Sequence, residues 1–138
     1  DYLFKISGPI LDRFDLHVHV PMIDIETHLN NKTTEESSKD VASRVFNARE
    51  KQLKRYDGYG IKTNSNLNGQ LLTDYAIPQD GSLEILNQAA NKFKLSMRSY
   101  NKILKVARTI ADLANDASVH KGHIAEALSY RQMNYFNI

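Results

Sequence analysis

The sequence predicts a mainly α-helical fold: a small helical bundle preceded by one strand. Three observations lead there. From about Ser37 onward, apolar residues recur at helical spacing in successive stretches. Near the start, Asp15 to Val20 instead alternates polar and apolar residues. The composition, 41% apolar and 25% charged over 138 residues, is that of a folded globular chain of about one domain. A chain of this length buries roughly 68% of the surface its unfolded form exposes, which suffices for a real core.

The elements follow in order. In D-L-H-V-H-V, Leu16, Val18 and Val20 alternate with Asp15, His17 and His19, the period of a strand with one buried face. Pro21 ends it, because proline cannot donate to a ladder. One strand forms no sheet alone, so it is expected to pair outside the chain or to fray. The polar run T-H-L-N-N-K, Thr27 to Lys32, reads as a linker. A helix is expected from about Ser37 to Tyr56. Acids gather at its start (Glu35, Glu36, Asp40) and bases at its end (Lys51, Lys54, Arg55), which suits the helix dipole. Its apolar spacing runs through Val41, Val45, Ala48 and Gln52, and D-G-Y-G stops it. Gly58 to Asp80 is rich in Asn and Gly and reads as loop, with a short helical turn around Asn68 to Tyr75. The next helix carries Leu83, Leu86, Ala89, Ala90 and Phe93 as one stripe, with Asp80 or Ser82 offering the cap. A longer helix capped by Ser96 follows, with Ile103, Ala107, Ile110 and Ala114 on one side and Arg98, Lys102 and Lys105 opposite. The last helix, K-G-H-I-A-E-A-L-S-Y-R-Q-M, turns Ile124, Ala127 and Leu128 inward.

The totals exclude several functions. With no cysteine there is neither a disulfide nor a thiolate nucleophile or metal ligand, which fits a reducing compartment and an expected cytoplasmic location. The formal charge of +2 is too small to announce nucleic-acid binding. No apolar run approaches the roughly 18 residues of a membrane span, and no signal peptide is visible, so no membrane partner is expected. The opening D-Y-L-F-K-I-S-G has no initiator Met and reads as a cut through a longer protein.

The catalytic motifs are thin. No glycine precedes a lysine, so there is no phosphate-cradling P-loop, and there is no G-x-S-x-G elbow. His17 and His19, or His120, His123 and Glu126, have spacings that a metal could share, yet each set reads better as ordinary polar positions and no metal site is expected. Asp12 and Asp15 read as structural hydrogen-bonding groups rather than an acid–base pair. Lys102 and Lys105 read first as a solvated helix face, with phosphate or DNA contact as the functional alternative. Arg98 stands apart. It lies in the first turn after Ser96, where unsatisfied N–H groups attract anions and a guanidinium adds a two-pronged donor for phosphate.

Two stretches carry a family resemblance. The stretch Ser7 to Pro21, opening S-G-P-I-L-D-R-F-D-L-H, resembles the end of the ATPase core in magnesium-chelatase-like AAA+ proteins, in particular the competence protein ComM (YifB) group, departing mildly at Ile10 and Phe14. L-S-M-R-S-Y-N-K-I-L-K-V-A-R-T-I-A-D-L, with H-I-A-E-A-L-S-Y-R after it, resembles the helical C-terminal domain of the magnesium chelatase subunit ChlI. The resemblance implies that residues 1–22 close the AAA+ core and that 23–138 form a helical lid. It implies that Arg13 is an arginine finger reaching a nucleotide held by a neighbouring subunit, with Asp12 orienting it or bridging subunits. It implies that Arg98 is a sensor-2 arginine contacting the nucleotide of its own subunit. The implied cofactors of the full-length protein are ATP and Mg2+, with none expected on this fragment. The implied partners are its own upstream ATPase core, further copies in a ring, and DNA, remodelled by helicase or branch-migration action in transformation or recombination. Walker A and B residues would lie upstream of Asp1, so the fragment alone is expected to be inactive.

Two other readings compete. Arg44 to Lys62 and Asn91 to Arg108 each hold six bases, and together they could line a groove for nucleic acid. Alternatively the loop from Tyr59 to Gln79 could be the contact surface of a protein-interaction bundle.

Overall fold

The computed structural model describes residues 8–20, 22, 36–78 and 80–131. Pro21, the Thr27–Lys32 linker and the end of the expected last helix at Gln132 and Met133 lie outside these residues. The described chain is helical: α1 (Gly8–Leu11), α2 (Ser38–Arg55), a 3-10 turn (Asn64–Asn66), α3 (Gly69–Ala76), α4 (Leu83–Phe93), α5 (Met97–Leu113) and α6 (Lys121–Ser129).

The caps show why the helices start where they do. The Ser37 hydroxyl accepts from the Asp40 N–H at the start of α2, and the Ser96 hydroxyl accepts from the Ser99 N–H at the start of α5. At α4 the work is displaced by two residues. Ser82 occupies the cap position without a side-chain cap bond, and the Asp80 carboxylate accepts from both the Ser82 N–H and the Ser82 hydroxyl. Those bonds hold the Asp80 carboxyl down to a pKa of about 2. His120 precedes α6 as its N-cap, and its N–H donates to His123 Nδ1 at 3.0 Å. Helix α4 ends at Lys94 in left-handed backbone, φ 50°, where a glycine would be less strained.

Helix α5 is the hub. It packs against α2, α3, α6 and the 3-10 turn, so its buried arc is wider than one apolar stripe. Ile103, Leu104, Ala107 and Ala111 are buried in the core, with Leu86 from α4, Ile124 and Ala127 from α6, and Tyr56, Leu67, Leu72 and Ala76 from the α2–α3 region. Ala114, expected inside, is exposed at the C-cap, while Arg108 and Asp112 are buried instead. Fully burying side chains of this kind stabilises by roughly 1.5–3 kcal/mol each.

Three expectations change. First, Leu16, Val18 and Val20 are exposed at 50%, 64% and 81%, and among the described residues none is in a strand. Among the described residues the segment has no neighbour to complete a ladder, which leaves its apolar face uncovered by them. Among the described residues its main-chain tie is the His17 N–H donating to the Tyr130 carbonyl at 2.7 Å. Second, the Tyr59–Gln79 region is no free loop: Asn64, Leu67, Leu72 and Ala76 are buried and the segment wraps the hub. Third, only Ala48 and Gln52 of the α2 stripe are buried, while Val41 and Val45 stay exposed.

Candidate functional site

Asp12, Asp15, the Arg13 carbonyl and Lys102 meet where the N-terminal segment docks on the start of α5, while Lys105 lies elsewhere, on Ser65 and Asn68. Helix α1 is a single turn, and the Arg13 N–H donating to the Ile10 carbonyl continues it into a bend. That bend lays Asp12 across the α5 N-terminus. The Asp12 carboxylate accepts from the Ser96 hydroxyl at 2.9 Å, the Ser99 hydroxyl at 2.8 Å and the Arg131 guanidinium at 3.1 Å. Burial alone would raise its pKa, but the two hydroxyls and the charges of Arg131 and Lys102 outweigh it and hold the carboxyl below the ordinary carboxylate range.

Arg131 is the nearly buried member of this group, its side chain 7% exposed. Besides Asp12 it donates to the Ser99 hydroxyl at 2.8 Å and the Phe14 carbonyl at 3.2 Å. Lys102 completes the docking: its ammonium pairs with the Asp15 carboxylate at 2.7 Å and donates to the Arg13 carbonyl. Lys105 donates to the Ser65 carbonyl at 3.1 Å, and burial lowers the pKa of its ammonium. Lys102 and Lys105 are therefore half-buried and committed to the chain itself rather than forming a solvated stripe.

Arg13 and Arg98 are both exposed, and among the described residues neither guanidinium has a hydrogen bond or ion pair. Each is one residue from a member of the Asp12–Ser99 hydrogen bond, so one docking contact carries both arginines. The helix N-terminus is a different matter. The anion expected at the start of α5 is supplied by Asp12, so the dipole there is already matched. Arg98 is left to act through its own guanidinium. Two unpaired guanidinium groups fit phosphate oxygens. Among the described residues no group of three His, Cys, Asp or Glu side chains could hold a metal. No described helix is long and apolar enough to cross a membrane.

A second polar cluster lies behind the site. The Asp112 side chain is fully buried and accepts from Arg55 (2.9 Å to Oδ2), Arg108 (2.9 Å) and Asn64 Nδ2 (2.8 Å). Arg108 also donates to the carbonyls of Asp116 and Ala117, and the Tyr56 hydroxyl donates to Asn64 Oδ1 at 2.6 Å. This network ties α2, the 3-10 turn and α5 together. Neither it nor Arg131 emerged from the sequence reading as a working group.

These features define a helical bundle with two exposed guanidinium groups beside the start of its central helix. A family described as magnesium chelatase, subunit ChlI C-terminal, matches residues 35–131, and the chain belongs to that family. It falls in the ComM/YifB-like group. It is 40% identical over 132 residues to competence protein ComM of Haemophilus influenzae, covering 96% of this chain and 25% of that protein. It is 35% identical over 133 residues to the uncharacterized protein YifB of Salmonella typhimurium, 96% of this chain and 26% of that protein. An uncharacterized protein of Mycobacterium tuberculosis is 37% identical over 131 residues, 95% of this chain and 26% of that protein. The chain thus spans about a quarter of the length of these relatives.

Proposed function

We propose that this chain is the lid end of a ring-forming AAA+ ATPase of the magnesium-chelatase type, and that it supplies two arginines to nucleotide sites. Residues 1–22 close the ATPase core and 23–138 form the lid. Arg13 acts in trans as an arginine finger at the nucleotide of the neighbouring subunit, and Arg98 acts in cis as the sensor-2 residue. Asp12 fixes the bend that carries Arg13. ATP with Mg2+, bound by the upstream core, supplies the phosphoryl group whose charge grows in the transition state. A fixed guanidinium stabilises that charge, by roughly 10³–10⁵ in rate in comparable enzymes. The work done is DNA remodelling, by helicase or branch-migration action in transformation or recombination, in the cytoplasm. Kinship with a protein named for competence supports that assignment.

The observation that carries the reading is the pair of exposed guanidiniums hung from a single docking contact, Asp12 to Ser99. As DNA contacts Lys102 and Lys105 have fewer free donors, since their ammoniums already bond within the chain. The same fact weakens the free-standing nucleic-acid module. Of the six bases between Asn91 and Arg108, Arg108 is buried on Asp112 and both Lys102 and Lys105 are committed, which leaves Lys92, Lys94 and Arg98 exposed. The test uses the full-length protein. Arg13→Ala is expected to cut DNA-stimulated ATP turnover by roughly 10³-fold or more, to a small residual rate, while sparing ATP binding. Turnover by Arg13→Ala at the intact rate would overturn the assignment.

A further inference from the structure

We propose that Arg131 and Lys102 are positioning residues for Arg13, clamping the Asp12–Asp15 bend from the lid side so that its guanidinium is presented in one place. This rests on the arginine-finger reading above. The geometry is specific. Arg131 reaches from the end of α6 to hold the Asp12 carboxylate and the Phe14 carbonyl, 3.1 Å and 3.2 Å away. Lys102, one turn into α5, holds the Arg13 carbonyl and the Asp15 carboxylate. Four consecutive residues are therefore pinned by two cations from two different helices. Both acidic side chains of the bend are neutralised. The Arg13 guanidinium is its one charged group without a partner among the described residues.

A simple ion pair would not need this arrangement. Arg131 divides its donors among a carboxylate, a hydroxyl and a main-chain carbonyl, and a lysine could not reach all three in one planar fork. The main-chain carbonyls of two successive residues, Arg13 and Phe14, are held, and this fixes the backbone from which the Arg13 side chain departs. A misplacement of about 1 Å at a reacting centre can cost on the order of 10²-fold in rate. The same residues join the bend to Ser99, next to Arg98, so that lid movement and finger movement are one movement. In this arrangement the lid of one subunit steers the guanidinium that it presents to the next.

The experiment is single-turnover and steady-state ATP cleavage by the full-length protein, with thermal midpoints measured alongside. Arg131→Gln is expected to lower kcat about tenfold with KM for ATP within about twofold of the unmodified protein. In an Arg13→Ala background the same substitution is expected to change the residual single-turnover rate by less than about twofold, because its effect passes through Arg13. Lys102→Met, at a more accessible position, gives the same pattern and serves if Arg131→Gln does not fold. Equal losses in both backgrounds would mean a merely structural role and overturn the proposal. So would unchanged kcat in folded Arg131→Gln and Lys102→Met proteins. If Arg13→Ala alone leaves turnover intact, the finger reading itself fails, in an arm that involves neither positioning residue.

Discussion

Replacing Asp112 by Asn removes one charge from the centre of the fold and little volume. The consequence can be worked from the contacts. The carboxylate is fully buried and is the shared acceptor of Arg55, Arg108 and Asn64. The Arg108 side chain is 2% exposed and that of Arg55 15%. With Asn at 112, two guanidiniums lose their counter-charge, and the new amide turns N–H donors toward existing donors. Breaking a buried pair from one side costs about 3–5 kcal/mol, because an uncompensated charge is left behind. A domain of this size has about 5–15 kcal/mol in all, so the variant should lose roughly 10–20 °C of midpoint. Urea unfolding followed by helical circular dichroism measures this. A loss below about 1 kcal/mol would refute the view that Asp112 ties α2, the 3-10 turn and α5 together. Acid should reach the same group. Burial raises the Asp112 carboxyl, but Arg55, Asn64 and Arg108 outweigh it and leave the folded-state pKa lowered. A lowered carboxylate contributes stability that is present above its unfolded value of about 4 and is lost as the pH falls through the folded one. The midpoint should accordingly fall below about pH 4, and Asp112→Asn should flatten that fall.

Two more outcomes are expected. Ser96→Ala removes both the α5 cap and one bond to Asp12, and should cost about 1 kcal/mol in the same unfolding assay. Arg98→Ala should leave stability within about 0.5 kcal/mol, since the side chain is exposed, while weakening the response of the full-length protein to ATP in a nucleotide titration; an unaltered titration would remove Arg98 from the site.

Much of the helical frame was legible because local signals agreed with the packing. Ser37 and Ser96 cap where a short polar residue preceded an apolar periodicity, and Ile103, Ala107, Ile124 and Leu86 lie on the faces their spacing assigned. What periodicity could not supply was the breadth of the α5 arc. A helix touched from several sides buries residues well beyond its stripe, so Arg108 and Asp112, past Leu104 and Ala111 round the helix, went inside. Their i, i+4 spacing was the available signal, and it falls on the side away from the Ile103–Ala107 stripe. Arg131 stood at the end of a recognisable motif with nothing local to mark it, because its partners lie 32 and 119 residues away. The alternation of Leu16, Val18 and Val20 was visible, but their burial requires strands that the described residues do not contain.

The most direct measurement mixes two inactive forms of the full-length protein. One carries Arg13→Ala with its nucleotide cradle intact; the other keeps Arg13 but has a disabled cradle. If Arg13 serves a nucleotide held next door, junctions in the mixed ring join an intact cradle to an intact arginine, and ATP turnover returns. A mixture as inactive as its two components would contradict the account.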